Sequence, residues 1–162
     1  MTSGPPEGVP NFSWVLPGRL AASGMPARGM SHEAGRVYMG LHRAGVRVVA
    51  SLLEHEPPVA EIRAAGLLCL HFPIGDFGTP RNVASFGVFV DRVAACVRAG
   101  QPVLAHCYAG IGRAGMFAAC YLARHEGYTP EGAIAEIRNR RPGSIETHGQ
   151  LEIVRQLSGG AA

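Results

Sequence analysis

PVLAHCYAGIGRAG, residues 102–115, starts as a short apolar run and ends as a loop of small residues around one cysteine and one arginine. "PVLAH" reads as a buried strand and residues 113–126 read as a helix. The stretch is therefore a strand–loop–helix unit, and α/β sheets bind ligands in such loops, beyond the carboxyl ends of their strands. A loop there can curl until successive backbone N–H groups converge on one centre and form an anion-binding nest. The positive end of the following helix strengthens it. Gly110, Gly112 and Gly115 supply the backbone freedom for that curl. Arg113 stands at the helix start, where its planar fork matches two phosphate oxygens. Cys107 lies at the bottom, in a field that favours the thiolate. The chain has four cysteines, and six positions beyond Cys69, Cys96 and Cys120 stand Gly75, Pro102 and Glu126, so only Cys107 is followed there by arginine.

Outward from this unit, strands alternate with helices. "SWVLPGRLAAS" reads as a hairpin with a Pro-Gly turn. Ser31 is positioned to cap a helix that turns Val37, Tyr38, Leu41 and Met30 inward and stops at Gly45. "VRVVASLL" and "LLCLHF" read as buried strands, separated by a short helix that Pro57 and Pro58 open and that runs to about Ala65. Residues 82–98 place Phe86, Phe89, Val90, Val93 and Val97 on one helical stripe. "TPEGAIAEIRNRR" is a helix with Thr129 as cap and Pro130 in first position, and a last helix spans about Thr147 to Leu157. This pattern predicts an α/β layer fold with a central, mainly parallel sheet flanked by helices. Residues 1–10 and 158–162 are expected to be disordered, leaving one domain over 11–157.

The 162 residues suffice for a sizeable core, 47% are hydrophobic, and no apolar run approaches a membrane span. The opening does not look like a signal peptide, so an intracellular, cytoplasmic or also nuclear, monomer is expected. All 15 basic residues are arginine and the net charge is +3; the arginines are scattered apart from Arg138, Arg140 and Arg141, which argues against a nucleic-acid surface. The cysteines form no CxxC pair, and Cys69 with His71 read as core and half-buried strand positions rather than metal ligands.

"HCYAGIGRAG" resembles the signature loop of the cysteine-dependent protein tyrosine and dual-specificity phosphatases. "NFSWVLPGRLA", "AGVRVVASLLE", "ACYLA" and "AIAEIRNRRPGSIET" resemble the small atypical dual-specificity enzymes of the VHZ type, and the likeness runs from Asn11 to Leu157. The resemblance implies a single-domain phosphatase fold without a regulatory domain. It further implies hydrolysis of phosphotyrosine, and of phosphoserine or phosphothreonine, in phosphorylated protein substrates through a phosphocysteine intermediate, with no metal and no cofactor. His106, Cys107, Tyr108, Ala109, Gly110, Ile111, Gly112 and Arg113 would form the phosphate-binding loop, with Cys107 as nucleophile and His106 supporting it.

That chemistry needs a proton donor for the leaving oxygen. The chain has two aspartates. Asp76, in the loop "PIGDFGTP" 31 residues before Cys107, matches the family's general acid, whereas Asp91, beside Arg92 on a polar helix face, reads as a solvated surface charge. "SIETHGQ" resembles the segment that carries two water-positioning glutamines in tyrosine phosphatases, but here the positions hold Glu146 and Gln150. Thr147 and Gln150 also fit a capping box, a purely structural role. Ala114 departs from the family's Ser or Thr after the arginine. Tyr108, Ala109 and Ile111 are uncharged where family members that hydrolyse inositol phospholipids tend to carry lysine, so the resemblance disfavours such substrates. A phosphate-binding module without turnover and a rhodanese-type sulfurtransferase remain as alternatives.

Overall fold

The structure is a computed structural model that describes residues 4–158. Five strands, β1 (Ser13–Leu16), β2 (Leu20–Ser23), β3 (Val48–Ser51), β4 (Leu68–His71) and β5 (Val103–His106), form one sheet in the order β1-β2-β5-β3-β4. Only β1 runs antiparallel; the β2–β5, β5–β3 and β3–β4 pairs are parallel. The helices are α1 (Ala34–Arg43), α2 (Val59–Ala64), α3 (Val83–Arg98), α4 (Gly112–His125), α5 (Pro130–Arg140) and α6 (His148–Leu157). This is the expected α/β architecture.

Because side chains alternate across a strand, each central strand feeds two cores. Leu20, Ala22, Val48, Ala50, Val103 and Ala105 face α3–α6, while Ala21, Val49 and Leu104 face α1 and α2. β2, β3 and β5 are buried at every position, so they read in sequence as unbroken apolar runs. Helix α4 follows β5 through the signature loop and is buried from Gly112 to Ala123, between the sheet and its neighbouring helices. The carboxyl ends of β2, β5 and β3 thus converge on the N-terminus of a helix that packing holds still.

Three expectations are corrected. Ser31 makes no capping bond: the chain enters α1 through a 3₁₀ turn, Ser31–Glu33, whose backbone bond from Glu33 N–H to Met30 O (2.8 Å) replaces a side-chain cap. Asp91 is not simply solvated. It accepts from Arg124 Nε (2.6 Å) and Nη2 (2.9 Å) and bonds His125 Nε2 (2.7 Å), and the Arg124 guanidinium holds its carboxyl below the usual range. The polar face of α3 meets the end of α4 there. The Pro/Gly-rich opening is placed from Gly4 onward, since Val9 is buried against α1 and the backbone bonds Gly24 N–H to Pro10 O and Ala27 N–H to Gly8 O (both 2.8 Å) tie it to the loop after β2. Of the C-terminal stretch only Ser158 is described; residues 1–3 and 159–162 lie outside.

Candidate active site

Cys107 leaves β5 directly and is buried, with its N–H on Ser23 O. The next three carbonyls are all taken from outside the loop. Tyr108 O accepts from Met25 N–H (2.9 Å) and Arg28 Nη1 (3.2 Å), Ala109 O from Asn11 Nδ2 (3.3 Å), and Gly110 O from Arg141 Nη2 (2.6 Å) and Asn11 Nδ2 (3.3 Å). The N–H and C=O of a trans peptide point in opposite directions. Carbonyls held outward therefore turn the N–H groups of Ala109, Gly110 and Ile111 inward, which builds the nest above the sulfur. One glycine is required sterically, and a second packs against the ends of two side chains. Gly110 has φ +79°, and a Cβ on it would collide with the Ser23–Gly24 backbone. At Gly112 a Cβ would collide with the Glu146 carboxylate and press on Gln150.

Arg113 opens α4 and is 4% exposed. Its Nη1 donates to Ile74 O (2.8 Å) and its Nη2 to Asp76 Oδ1 (3.1 Å), so the guanidinium expected to bind phosphate is held by the loop expected to carry the acid. Asp76 is half exposed, accepts also from Phe77 N–H (3.1 Å), and its own N–H donates to Glu54 Oε1 (3.2 Å). The bend is tight, with Gly78 N–H on Gly75 O (2.8 Å) and Phe77 at φ 58°.

His106 points to the opposite face of the sheet from Cys107. Its Nδ1–H donates to Cys107 O (3.2 Å), and burial lowers its pKa to about 4, so the ring is neutral and its Nε2 carries a lone pair. Glu146 and Gln150 do come to the loop, against Gly112. Gln150 is completely buried and forms the expected capping box with Thr147; its Oε1 accepts from Glu146 N–H (2.8 Å) and Thr147 N–H (3.3 Å), and its Nε2 donates to Gly78 O (3.2 Å). The side chain therefore ties α6 to the Asp76 loop. Glu146 remains exposed.

Arg141 and Glu54 were not anticipated. Arg141 is 3% exposed and spans Gly110 O, Ala22 O (3.1 Å) and Ser13 Oγ (2.5 Å), so it clamps the loop to β1 and β2 and sets a second buried cation beside it. Within the cluster Arg138, Arg140 and Arg141, only its place at the end of α5, directly before Pro142-Gly143, distinguishes it in sequence. Arg28 also lies over the Tyr108 ring at 4.7 Å, which sets a cation beside the uncharged side chains of Tyr108, Ala109 and Ile111.

Residues 23–127 match a family model described as "polymorphic toxin system, DSP-PTPase phosphatase". Over 96 residues the chain is 40% identical to protein tyrosine phosphatase domain-containing protein 1 of Mus musculus, covering 58% of this chain and 12% of that protein. Over 94 residues it is 34% identical to cyclin-dependent kinase inhibitor 3 of Homo sapiens, covering 57% of this chain and 44% of that one. The chain thus spans less than half the length of either relative. The crystal structure of Tk-PTP in the active form shares 32% identity with a TM-score of 0.78, covering 91% of this chain and 96% of that one. These matches support the broad family rather than its VHZ-type members. By its matched residues and its fold, the chain belongs to the DSP-PTPase family of dual-specificity and protein tyrosine phosphatases.

Proposed function

We propose that the protein hydrolyses phosphorylated tyrosine, and phosphorylated serine or threonine, in protein substrates through a phosphocysteine intermediate. The observation that carries this reading is the joint placement of buried Cys107 before three carbonyls held from outside the loop and of Arg113 on Asp76. Substrate phosphate would replace Asp76 on the Arg113 fork, freeing the acid loop as the anion enters. The Cys107 thiolate then attacks phosphorus, the bond to the leaving oxygen breaks, and protonated Asp76 supplies that oxygen's proton. Water next attacks phosphorus, Asp76 accepts its proton, and the sulfur departs as thiolate. Glu146, exposed beside Gly112, would orient that water, while Gln150 acts by holding the Asp76 loop. Arg113 and the nest contribute most as charge spreads over the equatorial oxygens. In this reading the protein acts as a cytoplasmic monomer and needs no metal; among the described residues no helix is long and apolar enough to cross a membrane.

The test is hydrolysis of para-nitrophenyl phosphate and of a panel of phosphopeptides, with thiosulfate and cyanide as a parallel substrate pair. Phosphate release without thiocyanate formation is expected. Thiocyanate formation without phosphate release would replace the proposal by sulfur transfer, and phosphate binding without turnover would leave a binding module.

Ala114 sharpens the test of the intermediate. It is fully buried in the first turn of α4, in the same core as Cys107, and offers the sulfur no hydroxyl donor. A hydrogen bond to a charged group is worth about 1.5–3 kcal/mol. Its absence slows sulfur departure more than sulfur attack, so phosphoenzyme accumulates. Rapid mixing with an activated aryl phosphate is expected to show a burst, and Ala114→Thr to shrink the burst while raising steady-state turnover. A linear first turnover with Ala114→Thr unchanged refutes this.

A further inference from the structure

Strand β5 sends Ala105 and Cys107 to the α3–α6 side of the sheet, and Leu104 and His106 to the α1–α2 side. Behind the signature loop, on that second side, lies a cavity of about 290 Å³ between the start of α1 and the connection from β3 to α2. Its size is at the lower end of small-molecule sites. Met25, Ala34, Leu53 and Pro57 make its walls apolar, and it shares no residue with the phosphate cup beyond His106. His106 is 1% exposed and lines this cavity, and its Nε2 has no hydrogen-bond partner among the described residues. Since Nδ1–H donates to Cys107 O, the free nitrogen is an acceptor, and a buried acceptor left unmatched is costly. The cavity also reaches Glu56 and Glu61, both exposed and neither in an ion pair among the described residues, together with His55.

An occupant that satisfies all of this has a flat or compact apolar body, an N–H donor at its inner end and a positive charge at its outer end. We propose that this cavity is a binding site for a small arylalkylamine, whose ring N–H bonds His106 Nε2 and whose ammonium pairs with Glu56 and Glu61. Such a ligand sits across the sheet from substrate and reaches the signature loop through His106, the residue before Cys107, and through Met25, whose N–H holds Tyr108 O. It therefore alters turnover without competing for the phosphate cup, whether or not protein phosphates are the physiological substrate.

Tryptamine is the probe, and indole-3-acetate, which keeps the indole and reverses the charge, is the control. NMR titration of the full chain is expected to shift the His106 ring resonances with tryptamine at sub-millimolar to millimolar concentration, and indole-3-acetate to bind at least about tenfold more weakly, as expected for loss of a charge pair. Glu56→Gln combined with Glu61→Gln should weaken tryptamine about tenfold, again from loss of that pair. Ala34→Leu, which fills the cavity, should abolish the His106 response while leaving para-nitrophenyl phosphate turnover within about twofold of wild type. Should Ala34→Leu fail to fold, the exposed glutamine pair still decides. In wild type, tryptamine should change kcat with KM unaltered. An unmoved His106, equal binding of the two indoles, or purely competitive inhibition overturns the proposal.

Discussion

Cys107→Ser is expected to lower hydrolysis of para-nitrophenyl phosphate on the order of 10⁴-fold or more while leaving vanadate and phosphate binding intact. The two properties separate because different groups carry them. In the proposed mechanism anion binding would rest on the N–H groups of Ala109, Gly110 and Ile111 and on Arg113, none of which the substitution touches. The loop keeps its shape without the sulfur, since its carbonyls are held by Met25, Arg28, Asn11 and Arg141. Turnover needs an ionised nucleophile, and a serine hydroxyl is not ionised at neutral pH. Cys107 is only 2% exposed, and serine is smaller and more polar, so a modest loss of thermal stability accompanies the change without unfolding. Enzyme assays beside vanadate titration by calorimetry check both halves. Residual activity within tenfold of wild type would remove Cys107 as nucleophile, and loss of vanadate affinity would show that the sulfur shapes the cup.

The cysteine and arginine were legible because they lie in one loop between a strand and a helix whose signals are local. Parallel strands buried on both faces appear as the apolar runs "VVAS" and "VLAH", and Thr129 and Thr147 announce α5 and α6 through side-chain caps that need only neighbouring N–H groups. What was missed is non-local. Arg141 acts on Gly110 and Ala22, far away in the chain, and no spacing within its own helix indicates this. Asp91 looked solvated because its partners, Arg124 and His125, arrive from the end of another helix. Ser31 is a good capping residue type in a segment that chose a 3₁₀ turn, where the backbone bonds itself. Gln150 fitted two roles in sequence; its capping box is formed, and its bond to Gly78 shows a further task that only the packing of α6 against the Asp76 loop creates.

Asp76→Asn should cost roughly 10²- to 10⁴-fold on phosphotyrosine peptides and markedly less on aryl phosphates with highly activated leaving groups. A poor leaving group departs only as its proton arrives, whereas an activated phenolate needs little help, so the penalty must track leaving-group basicity. Asparagine is the right probe because it keeps the local structure. Its side-chain oxygen can still accept from Arg113 Nη2 and from Phe77 N–H, and the backbone bond to Glu54 is unaffected. What it loses is the exchangeable carboxyl proton and the negative charge that holds Arg113 before substrate arrives. These losses act on KM and kcat separately. Without the charge, the guanidinium is released to phosphate more easily, so KM should fall or hold while kcat drops. Steady-state kinetics across a series of aryl phosphates of graded leaving-group pKa, for wild type and Asp76→Asn, check this. A steeper dependence in the variant supports proton donation. Equal losses on every ester, or a rise in KM at constant kcat, would make Asp76 a residue that only shapes its loop. Glu54, whose carboxylate already receives the Asp76 N–H, would then be the carboxyl group to examine as the donor.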